Sequence, residues 1–283
     1  MTEVLDAVEV DRALKGKHRA MWALGNYAAV ASELIHPLGP EVVAATGVGP
    51  GQRVLDVAAG SGNAAIPAAR TGASVVASDL TPELLEIGRL DAEAEDLTLE
   101  WRQADAEALP LGDGEFDTVL SVVGVMFAPH HQESADELVR VTRPGGTIGL
   151  ISWTPEGFIG QMFATMKPFA APPPPGAQPP PLWGSESHVR ELFGDRVTDV
   201  TATRKTVRID LFRRPADFRD YFKACYGPTI VAYRNIADDP TKVAQLDAAL
   251  EDLARRFDVS GSTVGGSFAM EWEYLLLTAR AVG

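Results

Sequence analysis

Short apolar runs that end in glycine or proline alternate along the first half of the chain with longer segments of helical periodicity. Arg53-Val54-Leu55-Asp56-Val57-Ala58 is one such run and closes on Gly60. Ser74–Ser78, Leu97–Trp101, Phe116–Val123 and Gly146–Trp153 follow as strands. Between them the spacing predicts helices over Ala64–Arg70, Pro82–Ala94 (Thr81 as cap, Pro82 in the first turn) and Gln132–Val141, with Leu138, Val139 and Val141 turned inward. Residues 1–50 read as helices, from Ala28–Ala31 and Leu34–Ile35, interrupted at Pro37, Gly39 and Pro40. Strands that alternate with helices imply right-handed crossovers and a doubly wound parallel sheet. Continuously apolar strands are what a sheet covered on both faces requires.

The second half is less regular. A helix over Phe158–Lys167 runs into the proline-rich segment Ala170–Pro181, which cannot enter a helix or a central strand and is predicted to be an extended loop over the substrate side. Ordinary structure resumes at Ser187–Leu192. Thr198–Leu211 and Met270–Ala281 read as an antiparallel pair closing the sheet, with helices over Pro215–Tyr226 and Lys242–Phe257 between them. A single domain is expected: a helical lid (1–50), a ligand-binding core (51–154) and substrate-side helices, loop and final strands (155–283).

Charge narrows the function. The 283 residues carry a formal charge of −14 and no basic cluster longer than Arg213-Arg214 or Arg255-Arg256. A nucleic-acid partner is therefore not expected. One cysteine, Cys225, excludes an intrachain disulfide. The acidic N-terminus lacks a signal-peptide core and no stretch has membrane-span length, so a cytoplasmic protein with no membrane partner is predicted, as a monomer or homodimer. No Cys/His cluster has metal spacing, and no nucleophile elbow or phosphate-binding P-loop is present.

The candidate chemistry lies where strands end. Gly60 and Gly62 sit between a strand and a helix, where glycine lets a ligand approach the backbone and a helix N-terminus. Gly60-Ser61-Gly62-Asn63-Ala64-Ala65 satisfies the loose dinucleotide pattern, so an NAD(P)-dependent oxidoreductase is one reading. Against it, Asp56 precedes the loop. A carboxylate is a poor neighbour for a diphosphate and a good one for an ammonium and a sulfonium. Asp79, ending the second strand, suits a ribose diol in either reading. Asp105, beyond the third strand, suits an adenine amino group. Three acids at three successive strand ends make one polar rim, where open parallel sheets bind ligands.

In four blocks, Val54–Gly62, Val75–Leu80, Gln103–Pro110 and Arg140–Leu150, the chain resembles the class I S-adenosylmethionine (SAM)-dependent methyltransferases, in the branch related to ubiquinone/menaquinone biosynthesis methylases. The resemblance is strong over about residues 45–155. It implies a Rossmann-like seven-stranded sheet of order 3-2-1-4-5-7-6 with strand 7 antiparallel. It implies SAM as cofactor and S-adenosylhomocysteine as its product. Asp56, Ala58, Gly60 and Gly62 would line the methionine end, Asp79 would take the ribose hydroxyls, and Leu80, Asp105 and Ala106 would lie at the adenine. Val123–Phe127 would form the floor toward the substrate. The segments Trp22–Tyr27 and Val125–His131 depart from the quinone methylases, so the quinone substrate does not carry over.

Methyl transfer from a sulfonium is an in-line displacement in which alignment supplies much of the rate. A base is needed only where the acceptor loses a proton; His18, His130 and His131 are the candidates. Trp22, Tyr27, Met126, Phe127, Trp153 and Phe158 are candidates for an apolar acceptor wall, whose aromatic faces also suit a sulfonium. The expected activity is methylation of an O or C atom, with N as a further option, of a small organic acceptor in secondary metabolism. A non-catalytic SAM-binding protein is the third reading.

Overall fold

A computed structural model describes residues 2–261 and 268–282. Helices α1 (Thr2–Trp22), α2 (Tyr27–Val30) and α3 (Leu38–Thr46) precede the sheet, and a π-helical turn, Ala31–Ile35, joins α2 toward α3. The core then alternates: β1 (Arg53–Val57), α4 (Ala65–Arg70), β2 (Ser74–Asp79), α5 (Pro82–Ala94), β3 (Glu100–Gln103), β4 (Phe116–Val122), α6 (His131–Val141), β5 (Thr142–Trp153). The second half adds α7 (Phe158–Met166), α8 (Glu186–Phe193), β6 (Val197–Ile209), α9 (Pro215–Cys225), α10 (Gly227–Asn235), α11 (Pro240–Arg256) and β7 (Met270–Ala281).

The seven strands form one sheet in the order β3-β2-β1-β4-β5-β7-β6. β7 runs antiparallel to both neighbours and the other pairings are parallel. This is the sheet that the resemblance implies. Burial follows the strand positions. Val54–Val57 of β1 are buried without interruption, as a central strand covered on both faces demands. β6, at the edge, is largely exposed. The helices pack by stripes: Leu84, Leu85, Gly88 and Ala92 of α5, and Leu246, Leu250, Leu253 and Ala254 of α11, face inward at helical spacing.

Several boundaries differ from the sequence reading. The helical run breaks at His36-Pro37 as expected, but Gly39 and Pro40 lie in the first turn of α3, because proline fits a first turn. Gly227-Pro228 likewise opens α10, a helix the sequence reading left out. β3 lies a few residues later than Leu97–Trp101, since Asp79 and Gln103 set its register against β2. The Thr81 side chain does not cap α5; the Asp79 carboxylate accepts the Thr81 N–H instead, at 2.8 Å. Val139 is only half-buried.

Two contacts fix the turn between β1 and α4. Gly62 has φ +89°, and a Cβ there would sit 2.9 Å from Cη2 of Trp101 and 3.1 Å from Cγ1 of Ile66. Asp56, 1% exposed, accepts the Ala65 N–H at 2.8 Å through Oδ2, while its Oδ1 has no partner. Burial pushes the Asp56 carboxyl up to about 8, the Ala65 N–H opposing and the Asp79 charge adding to the rise. A neutral acid therefore ties the strand end to the helix start.

Two expectations follow. Gly62→Ala should destabilise the fold by roughly 2–4 kcal/mol, combining left-handed strain with overpacking, whereas Gly47→Ala should cost only about 1 kcal/mol. Gly47 has a similar φ of +67° but nothing within 4 Å of its would-be Cβ. Chemical denaturation compares them, and equal losses would remove the steric account. For Asp56 the folded pKa lies above that of the unfolded chain, so its contribution is fully present below about pH 4 and is lost as pH rises toward 8, by at most about 1.4 kcal/mol per unit. Asp56→Asn should keep the Ala65 bond and gain stability relative to the parent between pH 5 and 8. Parallel stability-against-pH curves would show that Asp56 is ionised in the folded protein.

Candidate functional site

The strand order reverses between β1 and β4, and a cleft of about 670 Å³, counted to its mouth, opens at their carboxyl ends. That is the topological switch point where open sheets bind ligands. Its floor is mainly backbone and small side chains: Ala58, Gly60, Ala104, Ala106, Val123 and Gly124.

Asp79 organises this floor. It is 9% exposed. One carboxylate oxygen accepts the Gly60 N–H and the other the Thr81 N–H, both at 2.8 Å. Burial raises its pKa against the pull of those amides. The Ala59 N–H donates to Ser78 O and the Ala104 N–H to Asp79 O, each at 2.9 Å. Loops from β1, β2 and β3 are thus laced together around Asp79: its carboxylate joins the Gly60 loop to the start of α5, and its backbone carbonyl holds the loop after β3.

Two floor residues are strained. Ala58 (φ 55°) and Val123 (φ 51°) occupy the left-handed region, where a β-branched residue is a genuine outlier. Such strain persists only when neighbours over-determine it. Here the Val123 N–H donates to Ile151 O at 2.7 Å. Ser121 Oγ donates to Val57 O at 2.7 Å and accepts the Val125 N–H at 2.8 Å. A Cβ on Gly124 would lie 2.4 Å from Ala58 O, so only glycine lets the two loops meet.

α1 forms the outer wall. Lys15, His18 and Trp22, spaced to share one helix face, all line the cleft. Lys15 is 14% exposed and its Nζ lies 2.5 Å from Asp105, 2.7 Å from Glu107 and 3.2 Å from Asp11. Burial opposes its charge, but the two acids outweigh it and hold Lys15 above the ordinary lysine range. Asp11, Glu107 and His130 bring potential metal-ligand atoms within 4.8 Å of one another, and the Lys15 ammonium already supplies positive charge there. Sequence reasoning missed Lys15 and Glu107. The signal was Lys15 one turn before His18 on the face that also carries Trp22.

The sequence candidates divide among four places. Ala58, Gly60, Asp79, Leu80, Asp105, Ala106, Val123, Trp22, Tyr27, Phe127 and His18 line the cleft. Asp56 does not face it; it lies below, bound to Ala65. Gly62 is turned against Trp101 and Ile66. Met126 and Phe158 are fully buried in the core, Phe158 stacked on Trp272 at 5.2 Å. Trp153 lines a second, inner pocket. Asp105 reaches the cleft, but its carboxylate is shared between Lys15 and the Glu107 N–H.

The histidines separate likewise. Burial holds the His18 pKa below its ordinary value, with Glu107 opposing, so the ring is neutral near pH 7. His130 Nδ1 pairs with Glu107 at 2.9 Å, and its Nε2 lies 3.8 Å from the Cβ position of Gly176, in the proline-rich segment. His131 is buried, paired with His188 at 3.0 Å; burial and His188 push it down to about 3. Gln178 of the proline-rich segment donates its N–H to Pro129 O at 2.9 Å, at the edge of the cleft.

Among the described residues no helix is long and apolar enough to cross a membrane. Residues 55–150 match the methyltransferase-domain family. An uncharacterized protein of Mycobacterium tuberculosis is 53% identical over 270 residues, 95% of this chain and 96% of that one. The demethylmenaquinone methyltransferase of Clavibacter sepedonicus is 41% identical over 98 residues, 35% of this chain and 40% of that one. Among solved structures, the Bacillus subtilis YcgJ protein shares the fold at TM-score 0.59 and 16% identity, covering 88% of this chain and 99% of its own. With the sheet order, the cleft at the switch point and these likenesses together, the chain belongs to the class I SAM-dependent methyltransferases.

Proposed function

We propose that this methyltransferase takes its methyl group from SAM and places it on an oxygen, carbon or nitrogen atom of a small organic acceptor in secondary metabolism. The observation that carries the reading is Asp79: a carboxylate at the end of β2, held by two backbone N–H groups, facing a backbone-lined cleft. Each oxygen keeps a lone pair for a ribose hydroxyl. Leu80 and Ala106 lie where an adenine would be sandwiched. The Gly60 loop and Ala58 are left for the methionine end. The residues fit the cofactor's charge as well. Asp79 and Asp105 line the cleft, and carboxylates there favour a cationic ligand over a diphosphate.

When bound, SAM supplies a sulfonium-activated methyl group. The chain's own residues then have three tasks. Trp22, Tyr27 and Phe127 wall the cleft and exclude water; Trp22 meets Tyr27 at 5.1 Å and Phe127 at 4.7 Å between ring centroids. The Asp79 lacework fixes the floor. His18 lines the cleft, and no side chain among the described residues hydrogen-bonds its ring; being neutral, it can take a proton from an acceptor that must lose one. His130 is committed to Glu107, and His131 is held neutral in the core.

Calorimetry with S-adenosylhomocysteine, SAM and NAD(H) tests the reading. S-adenosylhomocysteine should bind, and Asp79→Ala should weaken it by at least roughly 10-fold, since charged hydrogen bonds worth about 1.5–3 kcal/mol each go with the grip on the Gly60 and Thr81 amides. Asp79→Asn should lose less. NAD(H) binding without S-adenosylhomocysteine binding would overturn the reading. Lys15→Met should lower stability by about 3 kcal/mol, because Glu107 is left buried without its counter-charge, and should make α1 more sensitive to limited proteolysis. An unchanged cleavage rate would show that Lys15 does not hold the helix.

A further inference from the structure

Helix α1 is held by different means along its length. At its carboxyl end the hold is backbone on backbone. The Asn26 N–H donates to Cys225 O at 3.0 Å. A Cβ on Gly25 would lie 2.6 Å from Cys225 O, and one on Gly227 would lie 2.3 Å from Met21 O. The end of α1 therefore touches the start of α10 with no side chain between them. Trp22 adds ring contacts with Tyr27, Phe127 and Tyr226. This end is anchored.

Upstream of the anchor the hold is electrostatic. Of residues 9–20 only Leu14 is buried, so little apolar surface keeps the helix down. Lys15 takes that task through Asp105 and Glu107, which belong to the loop after β3. The Glu107 side chain is 3% exposed and passes the contact on. Its Oε1 accepts the His130 N–H at 2.7 Å, and its Oε2 meets His130 Nδ1 as well as Lys15. The catch is thus tied to the start of α6. The Arg19–Glu83 pair on the same helix is exposed on both sides, and such pairs are worth little.

The catch stands at the cleft. Lys15 and Asp105 both line it. One Asp105 oxygen accepts the Glu107 N–H at 3.0 Å and the other holds Lys15. Lys15 lies six residues before Met21, roughly 9 Å along the helix axis. Resting on the SAM-dependent reading above, we infer that α1 is a lever over the cofactor cleft, hinged at residues 21–26 and latched by Lys15 on Asp105 and Glu107, and that release of this latch sets the rate at which cofactor enters and product leaves. Segments with few buried apolar contacts are the ones that open locally. The latch must break while partly buried, where water replaces the lost partners poorly. His18 shares the inward face with Lys15, so the two leave the cleft together. The proton acceptor is then in place only when the site is closed. Lys15 is a positioning residue and touches no reacting atom.

Surface plasmon resonance with S-adenosylhomocysteine over the immobilised full chain reads both rate constants. Lys15→Met and Glu107→Gln should each raise association and dissociation together, by at least about tenfold, with Kd changed less than about threefold, because a buried charge pair no longer has to break. Lys15→Arg, which keeps the charge, should stay near the parent. Arg19→Met, which removes the exposed pair, should change neither rate. Glu107→Gln keeps an acceptor for the His130 N–H and covers the case in which Lys15→Met loses its fold. Amide hydrogen exchange without ligand reads the lever by itself: residues 9–20 should exchange faster than α3, and Glu107→Gln should speed them by about tenfold more while leaving α3 unchanged. Faster dissociation alone would make Lys15 a direct cofactor contact and overturn the latch. Unchanged rates in both variants, or an Arg19→Met effect equal to that of Lys15→Met, would do the same. S-adenosylhomocysteine binding with indifferent rates and exchange sinks the lever alone. The exchange pattern without S-adenosylhomocysteine binding sinks the cofactor reading and keeps the lever.

Discussion

Everything at the carboxyl edge of the sheet hangs on the Asp79 carboxylate and the two amides that grip it. Without that grip, the Gly60 loop and the start of α5 would be two separate turns, beside a loop after β3 that the Asp79 backbone carbonyl holds. With it, they share one geometric reference. The cost is electrostatic. Asp79 and Asp56 are both buried, and two nearby carboxylates cannot both ionise cheaply in a poor solvent. The protein divides the labour: Asp79 has amides on both oxygens, whereas Asp56 has one amide and an orphan oxygen and is the one held neutral. One acid faces the cleft and the other serves the turn.

The strain at Ala58 and Val123 belongs to the same construction. Each left-handed residue costs about 1–2 kcal/mol. Each stands where a strand must stop so that its following loop presents backbone, not side chain, to the cleft. The neighbouring strands hold them there: Ile151 of β5 binds the Val123 amide, and Ser121 of β4 joins Val57 to Val125. Removing Ser121 Oγ would free two backbone groups at once, so this hydroxyl matters more than its small size suggests.

The sheet was legible in the sequence because a central strand has no polar face to disguise it. Asp79 was legible because an acid at the end of an apolar run has no other obvious purpose. Asp56 met the same criterion and lies elsewhere, for a one-dimensional pattern does not distinguish an acid facing the cleft from one turned under the loop. Lys15 and Glu107 were hidden for the opposite reason. A lysine on a polar helix and a glutamate in a loop read as solvated, and only tertiary packing makes them a buried pair. Phe158 and Phe127 look alike in sequence; α7 turns Phe158 onto Trp272, while the turn after β4 leaves Phe127 on the cleft. Gly227-Pro228 and Gly39-Pro40 misled because proline ends a helix and also starts one.

Strand order then explains why the two pockets differ in chemistry. The acids stand at the ends of β1, β2 and in the loop after β3, on one side of the reversal. The aromatic residues Trp153 and Trp272 belong to β5 and β7, on the other. Chain reversal between β1 and β4 places these two sets side by side with only Tyr27 and Val123 between them. A charge is compensated on the acid side and would be left uncompensated among the buried aromatic residues. The desolvation cost of a charge thus differs between the two halves of the sheet edge without any dedicated residue.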